Sequence, residues 1–392
     1  MNKALLALAI GGFGIGMTEF VIMGILPDVA EALEISIPTA GHFISAYALG
    51  VVVGAPTLTI LGGRWSGKTM LLLLMAWFTV FNTLSALSTS YEALLAFRFL
   101  SGLPHGAFFG MGAVVASRLA KPGKAARAIA TMFTGLTIAN VVGVPLGTYL
   151  GHNYGWHITF YIVGVIGILT LVSIYFWMPF LPKSSSKSAT ADFAVLKNKE
   201  LWLGFFLTTI GTGGFFAWYS YIAPLITDVA GHPESMVSYG MILAGLGMVV
   251  GNFIGAKLAE TFSPLRAVFI ALVAMVICLI SNTYLAQNEI MVMVTTFIIG
   301  VIAFTLSTPI QMVMIKASEG SEMLGSSLNQ SAFNMGNASG AYFAGLPIAM
   351  GYGITSAQLV GATMAFIGIG IASVLANVRK NKRKMNVVTI NN

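Results

Sequence analysis

Twelve stretches of about 20 mostly apolar residues, separated by short polar breaks, run through this chain, and each is long enough to cross a bilayer as a helix. They fall near 4–26, 38–61, 69–88, 93–117, 127–150, 157–179, 200–227, 236–258, 265–285, 290–314, 323–349 and 353–377. The first is too long for a signal-peptide core, and no small-residue cleavage site follows before the second, so it reads as a retained span. With 57% hydrophobic and 8% charged residues over 392 positions, no soluble architecture fits. The lone Cys278 sits in an apolar run, which excludes a disulfide framework and a cysteine zinc site. The expected fold is an all-α membrane protein of twelve transmembrane helices.

The net charge of +7 would suit nucleic acid if it were clustered on a soluble face, but its placement says otherwise. With the amino terminus inside, 19 of the 20 basic residues fall in inner segments, from Lys3, through Arg64, Lys68 and Arg266, to the tail Arg379, Lys380, Lys382, Arg383 and Lys384. The outer loops hold acids instead, among them Asp28, Glu92, Asp228 and Glu289. This is the positive-inside pattern, and it predicts a multi-pass protein of a bacterial inner membrane with both termini in the cytoplasm. The basic tail is explained by topology and contact with lipid headgroups.

The longest polar break lies at the middle of the chain and separates six spans from six. The expected organisation is a six-helix bundle over 1–180, a cytoplasmic linker over 181–199, a second six-helix bundle over 200–378 and a basic tail over 379–392. A shift of 200 places Gly11, Gly14 and Asp28 on Gly211, Gly214 and Asp228; a shift of 197 places Gly50 and Gly54 on Gly247 and Gly251. Parallel six-span repeats are the build of one large transporter class. Small residues at spacing four mark close helix contacts. Their runs recur on spans 2, 5, 8 and 11, and Gly143, Pro145, Gly147, Gly247, Gly251, Gly336 and Gly340 are the candidates for sliding contacts between two moving halves, against a reading as static packing.

Four stretches carry a family resemblance over essentially the whole chain: GGFGIGMTEFVIMGILPDVA in span 1, SAYALGVVVGAP in span 2, FRFLSGLPHGAFFG in span 4 and TGLTIANVVGVPLGTYLG in span 5. They resemble the major facilitator superfamily, in particular twelve-span drug:proton antiporters of the arabinose efflux permease and sugar efflux group. Arg98 takes the place of the family's arginine motif, and Gly135, Asn140, Gly143, Pro145 and Gly147 that of its antiporter motif. One loop departs from the pattern: LGGRWSGK has Gly63 where an acid usually stands, so a cytoplasmic latch involving Arg64 and Lys68 is weakened, and Glu260 with Arg266 in the equivalent second-half loop is the better place for one.

Within the hydrocarbon depth only Glu19 and Arg98 are formally charged. Such residues face cavities, pair with one another and carry function. At 1.5 Å per residue, Glu19 lies about 12 Å and Arg98 about 9 Å below the outer surface, so the two share a depth. They read either as a structural ion pair or as a coupling site in which protonation of Glu19 depends on whether the pair is made; the resemblance favours coupling. His105 and His42 are weaker relay candidates. For cargo, Gln330, Asn334 and Asn337 share one face of span 11, joined by Trp218, Tyr219 and Tyr221 on span 7, Asn140 on span 5, Gln311 on span 10 and Tyr47 on span 2. Amides either bridge helices or meet hydroxyl-rich cargo, and ring faces suit sugars and flat amphipathic drugs alike.

The expected activity is therefore export of a sugar or amphipathic drug by a proton-coupled antiporter with alternating access; the alternatives are a proton-coupled importer and a gated channel. The chain carries no GxxxxGK[ST] loop and no HExxH, so neither an ATP-driven pump nor a zinc enzyme is expected. The expected partners are the lipid bilayer, small-molecule cargo and protons. No nucleic acid, metal or cofactor beyond the proton gradient is expected, and the expected state is a monomer.

Overall fold

The computed structural model describes residues 3–62, 65–120, 125–180, 195–319 and 322–390. Among the described residues there are twelve long helices and no strand. In the first half these are α1 (Lys3–Gly24), α2 (His42–Gly62), α3 (Gly67–Leu87), α4 (Tyr91–Leu119), α5 (Ala125–Tyr154, interrupted by a π-helical turn at Ala139–Gly143) and α6 (His157–Trp177). The second half repeats the order with α7 (Lys199–Tyr219), α8 (Ser235–Thr261), α9 (Pro264–Leu285), α10 (Glu289–Ala317), α11 (Glu322–Ala349) and α12 (Ser356–Ile390). Ten of the twelve are long and apolar enough to cross a membrane. The other two, α4 and α11, match them in length and carry many of the polar groups of the candidate site. A helix satisfies its own backbone, which is why lipid admits so little else.

The span boundaries follow local chemistry. Ser66 caps α3 by accepting from the Thr69 amide, and Ser263, 197 residues on, caps α9 by accepting from the Arg266 amide. Asn288 caps α10 through the Ile290 and Met291 amides. Three boundaries differ from the apolar pattern. The first span stops at Gly24 and restarts as a short helix, Leu26–Ala32, around Pro27. The seventh stops at Tyr219 rather than near 227, because Pro224 allows only a short turn, Ile222–Pro224, and a π-helical turn, Leu225–Val229. The twelfth continues as helix to Ile390, well past the apolar stretch. The linker expected over 181–199 lies mostly outside the described residues.

The repeat is physical. Side chains added at Gly50 and Gly54 of α2 would collide with the carbonyl oxygens of Phe99 and Leu103 on α4; side chains at Gly247 and Gly251 of α8 would collide with those of Phe297 and Val301 on α10. Gly135 of α5 meets the Ala9 carbonyl of α1, and Gly336 of α11 meets the Thr209 carbonyl of α7. Each contact in one half has its counterpart in the other.

The same contacts correct the expectation of gliding surfaces between the halves. Gly247 and Gly251 pack on α10, and Gly336 and Gly340 on α7, all within the second bundle. Gly143 and Gly147 pack on Phe13, Met17 and Val21 of α1, within the first, beside Pro145. These glycines hold each bundle together, because only a residue without a Cβ lets two helix backbones approach this closely. Gly54→Ala and Gly251→Ala are expected to lower stability by about 2 kcal/mol each, the usual scale for overpacking, read as a fall in thermal midpoint of the purified protein. An unchanged midpoint with slowed transport would restore the gliding role.

What joins the halves is different. Ser45 Oγ of α2 donates to the Ala338 carbonyl of α11 at 3.0 Å, Ser331 Oγ of α11 donates to the Val52 carbonyl at 3.3 Å, and Thr59 and Ser327 hydroxyls meet at 3.3 Å. On the opposite side, Gly245 of α8 sits against the Asn140 carbonyl in the π-helical turn of α5. That turn precedes Pro145, whose ring and missing N–H disturb the helical ladder one turn back.

Apolar packing between the halves is uneven. At the end carrying the acidic loops, Phe20 to Ala30, Phe43 and Ile44 share one continuous core with Phe215 to Ile226 of the second half. At the basic end, Leu5, Leu8, Met70, Val115 and their neighbours form a core of first-half residues alone, and Leu201, Met314, Ala317, Leu324 and Leu328 form another of second-half residues alone. The halves are sealed to each other at the acidic end.

Candidate functional site

Arg98 on α4 is fully buried. Its guanidinium donates to Thr18 Oγ1 at 3.0 Å and to the Thr18 carbonyl at 3.2 Å, and it lies over the Tyr47 ring, 4.3 Å from the centroid, with the Phe160 ring 5.4 Å away. Thr18 in turn donates to Asn82 of α3. The arginine thus clasps α1, α2, α4 and α6, using the planar fork and flat cation that lysine lacks.

Glu19, the next residue on α1, is also buried and does not form the expected ion pair: among the described salt bridges none joins it to Arg98. The fork is taken by Thr18, one residue earlier, and Glu19 Oε1 has no hydrogen-bond partner. Phe20 follows directly, its ring stacked at 6.4 Å on Phe216 and set edge-on at 5.9 Å to Tyr219, both on α7. The carboxyl therefore stands one residue from the aromatic contact that closes the acidic end.

Of the histidines, His105 joins this group and His42 does not. Tyr47 Oη and His105 Nδ1 lie 3.1 Å apart, so Tyr47 links the cation of Arg98 to the imidazole. His42 is on the rim at the acidic end, with Nδ1 2.8 Å from Tyr91 Oη and its ring stacked 6.4 Å from Tyr342. The helix turns it toward Tyr91, the first residue of α4.

The cargo candidates divide in the same way. Asn140, Trp218, Asn334 and Asn337 are buried, and Asn140 Oδ1, Trp218 Nε1, Asn334 Oδ1 and both amide atoms of Asn337 have no partner in the protein. Buried polar atoms are nearly always bonded, so each of these unbonded groups is a candidate for a bond supplied from outside the protein. Asn337 adjoins Ala338, the acceptor of Ser45, so α11 carries it to α2 near the level of Tyr47. Gln330 is half-buried further along α11.

Three other candidates are occupied by structure. Gln311 accepts from Asn329 Nδ2 and donates to Ser326 at 3.0 Å, while Asn329 accepts from Thr208 at 3.0 Å; this ties α10, α11 and α7 together. Tyr219 Oη donates to Met241 Sδ at 3.2 Å, and Tyr221 Oη donates to the Ala341 carbonyl at 2.9 Å beside Gly41 and Gly345. Tyr221 belongs to the seal between the halves.

Among the gate candidates, Arg64 and the Glu260 side chain lie outside the described residues. Lys68 donates to the Tyr175 and Met178 carbonyls, each at 2.7 Å, and so caps α6 within its own half. Arg266 is exposed beside a cavity at the basic end. Three contacts of titratable side chains went unpredicted. Glu200 at the start of α7 pairs with Arg379 at 3.0 Å and Lys382 at 3.3 Å on α12, and His152 at the end of α5 meets Asp28 at 2.8 Å. Glu200 and Arg379 are 179 residues apart, and only their common side of the membrane was visible in the sequence.

Gly245 also went unpredicted, because it stands outside the spacing-four run of α8. Gly245→Leu is expected to push α5 from α8 at mid-membrane and slow transport at least tenfold while each bundle stays folded; a wild-type rate in vesicles would show that this contact does not matter to the cycle.

The Major Facilitator Superfamily model matches residues 8–341. AraJ of Escherichia coli (strain K12) is 40% identical over 366 residues, 93% of each chain, and the inner membrane transport protein YdhP of the same organism is 39% identical over 97% of each. A chloramphenicol resistance protein of Streptomyces lividans is 29% identical over 87% of this chain and 88% of its own. Among solved structures, an inward-facing, occupied bacterial homologue of the human lysosomal transporter Spinster aligns with a TM-score of 0.73 at 16% identity, over 95% of this chain and 96% of that one. The nucleoside transporter NupG gives 0.73 at 15%, over 95% and 99%. At those identities the likeness speaks for the fold, and the paired six-helix bundles match it. This chain belongs to the Major Facilitator Superfamily and is a multi-pass membrane transporter.

Proposed function

We propose that the protein is a proton-coupled antiporter that exports a small molecule, a sugar or an amphipathic drug, by alternating access, with no cofactor beyond the proton gradient. The observation that carries this reading is Glu19, a buried carboxyl with an unbonded oxygen, next to the Phe20 contact that seals the halves. A proton arriving at Glu19 removes a charge from a dry site and favours the sealed seam; loss of the proton restores the charge, which favours a hydrated, open one. Cargo and proton thereby compete for the two states. Tyr47 and His105 supply a route toward the basic end: His105 lies seven residues along α4 from Arg98, about 10 Å deeper. By the positive-inside rule that end is cytoplasmic, so a proton taken up at the outer side leaves inward as cargo leaves outward.

Unbonded amides and the unbonded indole N–H of Trp218 suit a neutral cargo that has hydroxyl groups and a flat apolar face. The chloramphenicol resistance protein among the relatives favours export and a drug-like cargo. Counterflow in liposomes against a panel of sugars and hydrophobic drugs, with and without a pH gradient, tests the reading. Saturable, gradient-driven accumulation of one class is expected; non-saturable flux indifferent to the gradient would indicate a channel. Asn334→Ala and Trp218→Ala are expected to change cargo preference about tenfold while proton coupling persists. Unchanged selectivity in both would make them packing groups.

A further inference from the structure

At the basic end of the second bundle, a cavity of about 1030 Å³ opens between α9 and α12, below the last turn of α10. Five basic side chains border it, Arg266, Lys316, Arg379, Lys380 and Lys382, against one acid, Glu200. Glu200 is satisfied by Arg379 and Lys382. Arg266, Lys316 and Lys380 make no ion pair among the described residues, so the cavity keeps an excess of positive charge. The first turn of α9, a 22-residue helix, adds its own positive end.

The wall is amphipathic in a particular order. Phe269 lies one turn deeper into the membrane than Arg266, about 4.5 Å along α9. It is 42% exposed, and Ala372 and Ala376 of α12 complete the apolar side, while Phe262 borders the cavity from the turn before α9. Basic groups at headgroup level above an exposed apolar wall match a lipid and not a soluble anion, which has no use for the apolar part.

The first bundle shows that the cavity is not a by-product of the repeat. Its α3 is capped by Ser66 as α9 is capped by Ser263, but Lys68 then reaches across to the last carbonyls of α6. In the second bundle Leu265 stands at the equivalent position, 197 residues on, and α12 runs past as helix to Ile390. The corner that a lysine bridges in one half is left open and basic in the other.

We propose that this cavity binds the headgroup of an anionic phospholipid of the cytoplasmic leaflet, its phosphodiester held by Arg266, Lys316 and Lys380 and its acyl chains lying along Phe269, Ala372 and Ala376. The bound lipid joins α9, α10 and α12 around the Glu200 clasp at the base of α7. It is a site apart from the mid-membrane groups proposed to meet cargo.

Native mass spectrometry of the purified full chain tests this with three probes: phosphatidylglycerol, phosphatidylcholine and inorganic phosphate. One phosphatidylglycerol is expected to be retained at lipid concentrations where phosphatidylcholine is not, and inorganic phosphate is not expected to displace it. Each basic group near an anionic lipid surface is worth about fivefold in affinity, so R266Q with K316Q should weaken phosphatidylglycerol binding at least tenfold. Both side chains are exposed and neither makes an ion pair among the described residues, and the double variant should keep the wild-type thermal midpoint in phosphatidylcholine. Lys380→Gln supplies an independent variant with the same expected direction. Equal retention of the two lipids, or binding unchanged in all the variants, would overturn the site; displacement by inorganic phosphate would overturn the lipid assignment in favour of a soluble anion.

Discussion

Glu19→Gln is expected to leave exchange of cargo down its own gradient near the wild-type rate and to abolish accumulation against a gradient, a loss of at least a hundredfold in the steady-state ratio. The amide has nearly the shape of the carboxyl and fits among the same neighbours, so the seam at Phe20, Phe216 and Tyr219 should still form. What it cannot do is gain and lose a proton. A variant locked in the uncharged condition passes through the sealed state freely but has nothing to tie that passage to the gradient. Transport in everted membrane vesicles, energised and not, reads the two quantities separately. Energised accumulation that persists in Glu19→Gln would move the coupling role to His105 or to the cargo.

Arg98→Ala is expected to be the most damaging single change in the first bundle. It removes two charge-assisted bonds to Thr18 and the cation over Tyr47, and it empties a fully buried volume where α1, α2, α4 and α6 meet. Bonds to charged groups contribute about 1.5–3 kcal/mol each, so a loss of roughly 3 kcal/mol or more in stability is expected, with transport abolished. Arg98→Lys keeps the charge but cannot make both bonds while lying flat on the ring, and should fall between wild type and alanine in thermal midpoint and rate. Thr18→Val separates the two duties of the region. It removes the side-chain acceptor of Arg98 without touching Glu19, so it should lower the midpoint and leave the proton-driven ratio close to wild type. A lysine variant equal to wild type in both measurements would show that the planar fork is not what α1 and α4 need.

The fold and the buried polar residues of the candidate site were legible in the sequence for one reason. In lipid, an apolar stretch of span length has a single stable conformation, and a charged residue inside one stands out. Glu19, Arg98 and the amides of α11 were visible on that ground, and so was the two-bundle repeat. What was hidden depends on direction around a helix axis and on contacts distant in the chain. Spacing-four glycines announce a close approach, but Gly247 and Gly336 carry no mark of whether the partner is a helix of the same bundle or of the other. Arg98 and Glu19 share a depth, yet Thr18, a third of a turn away, receives the guanidinium. Gly245 packs on the Asn140 carbonyl in the π-helical turn of the other half, and Gly245 belongs to no repeating pattern. The clasp of Glu200 by Arg379 and Lys382 required α12 to run on as helix where its apolar stretch had ended.

Coupling of proton movement to cargo movement is the central claim, and it is read most directly in liposomes holding the purified chain and a trapped pH-sensitive dye. With a gradient of an identified cargo imposed and no initial pH gradient, cargo flow is expected to drive protons in the opposite direction through the wild-type protein. The dye signal should vanish in Glu19→Gln although labelled cargo still exchanges. Cargo flow through the wild type without any change in internal pH, or an undiminished proton signal in Glu19→Gln, would contradict the account.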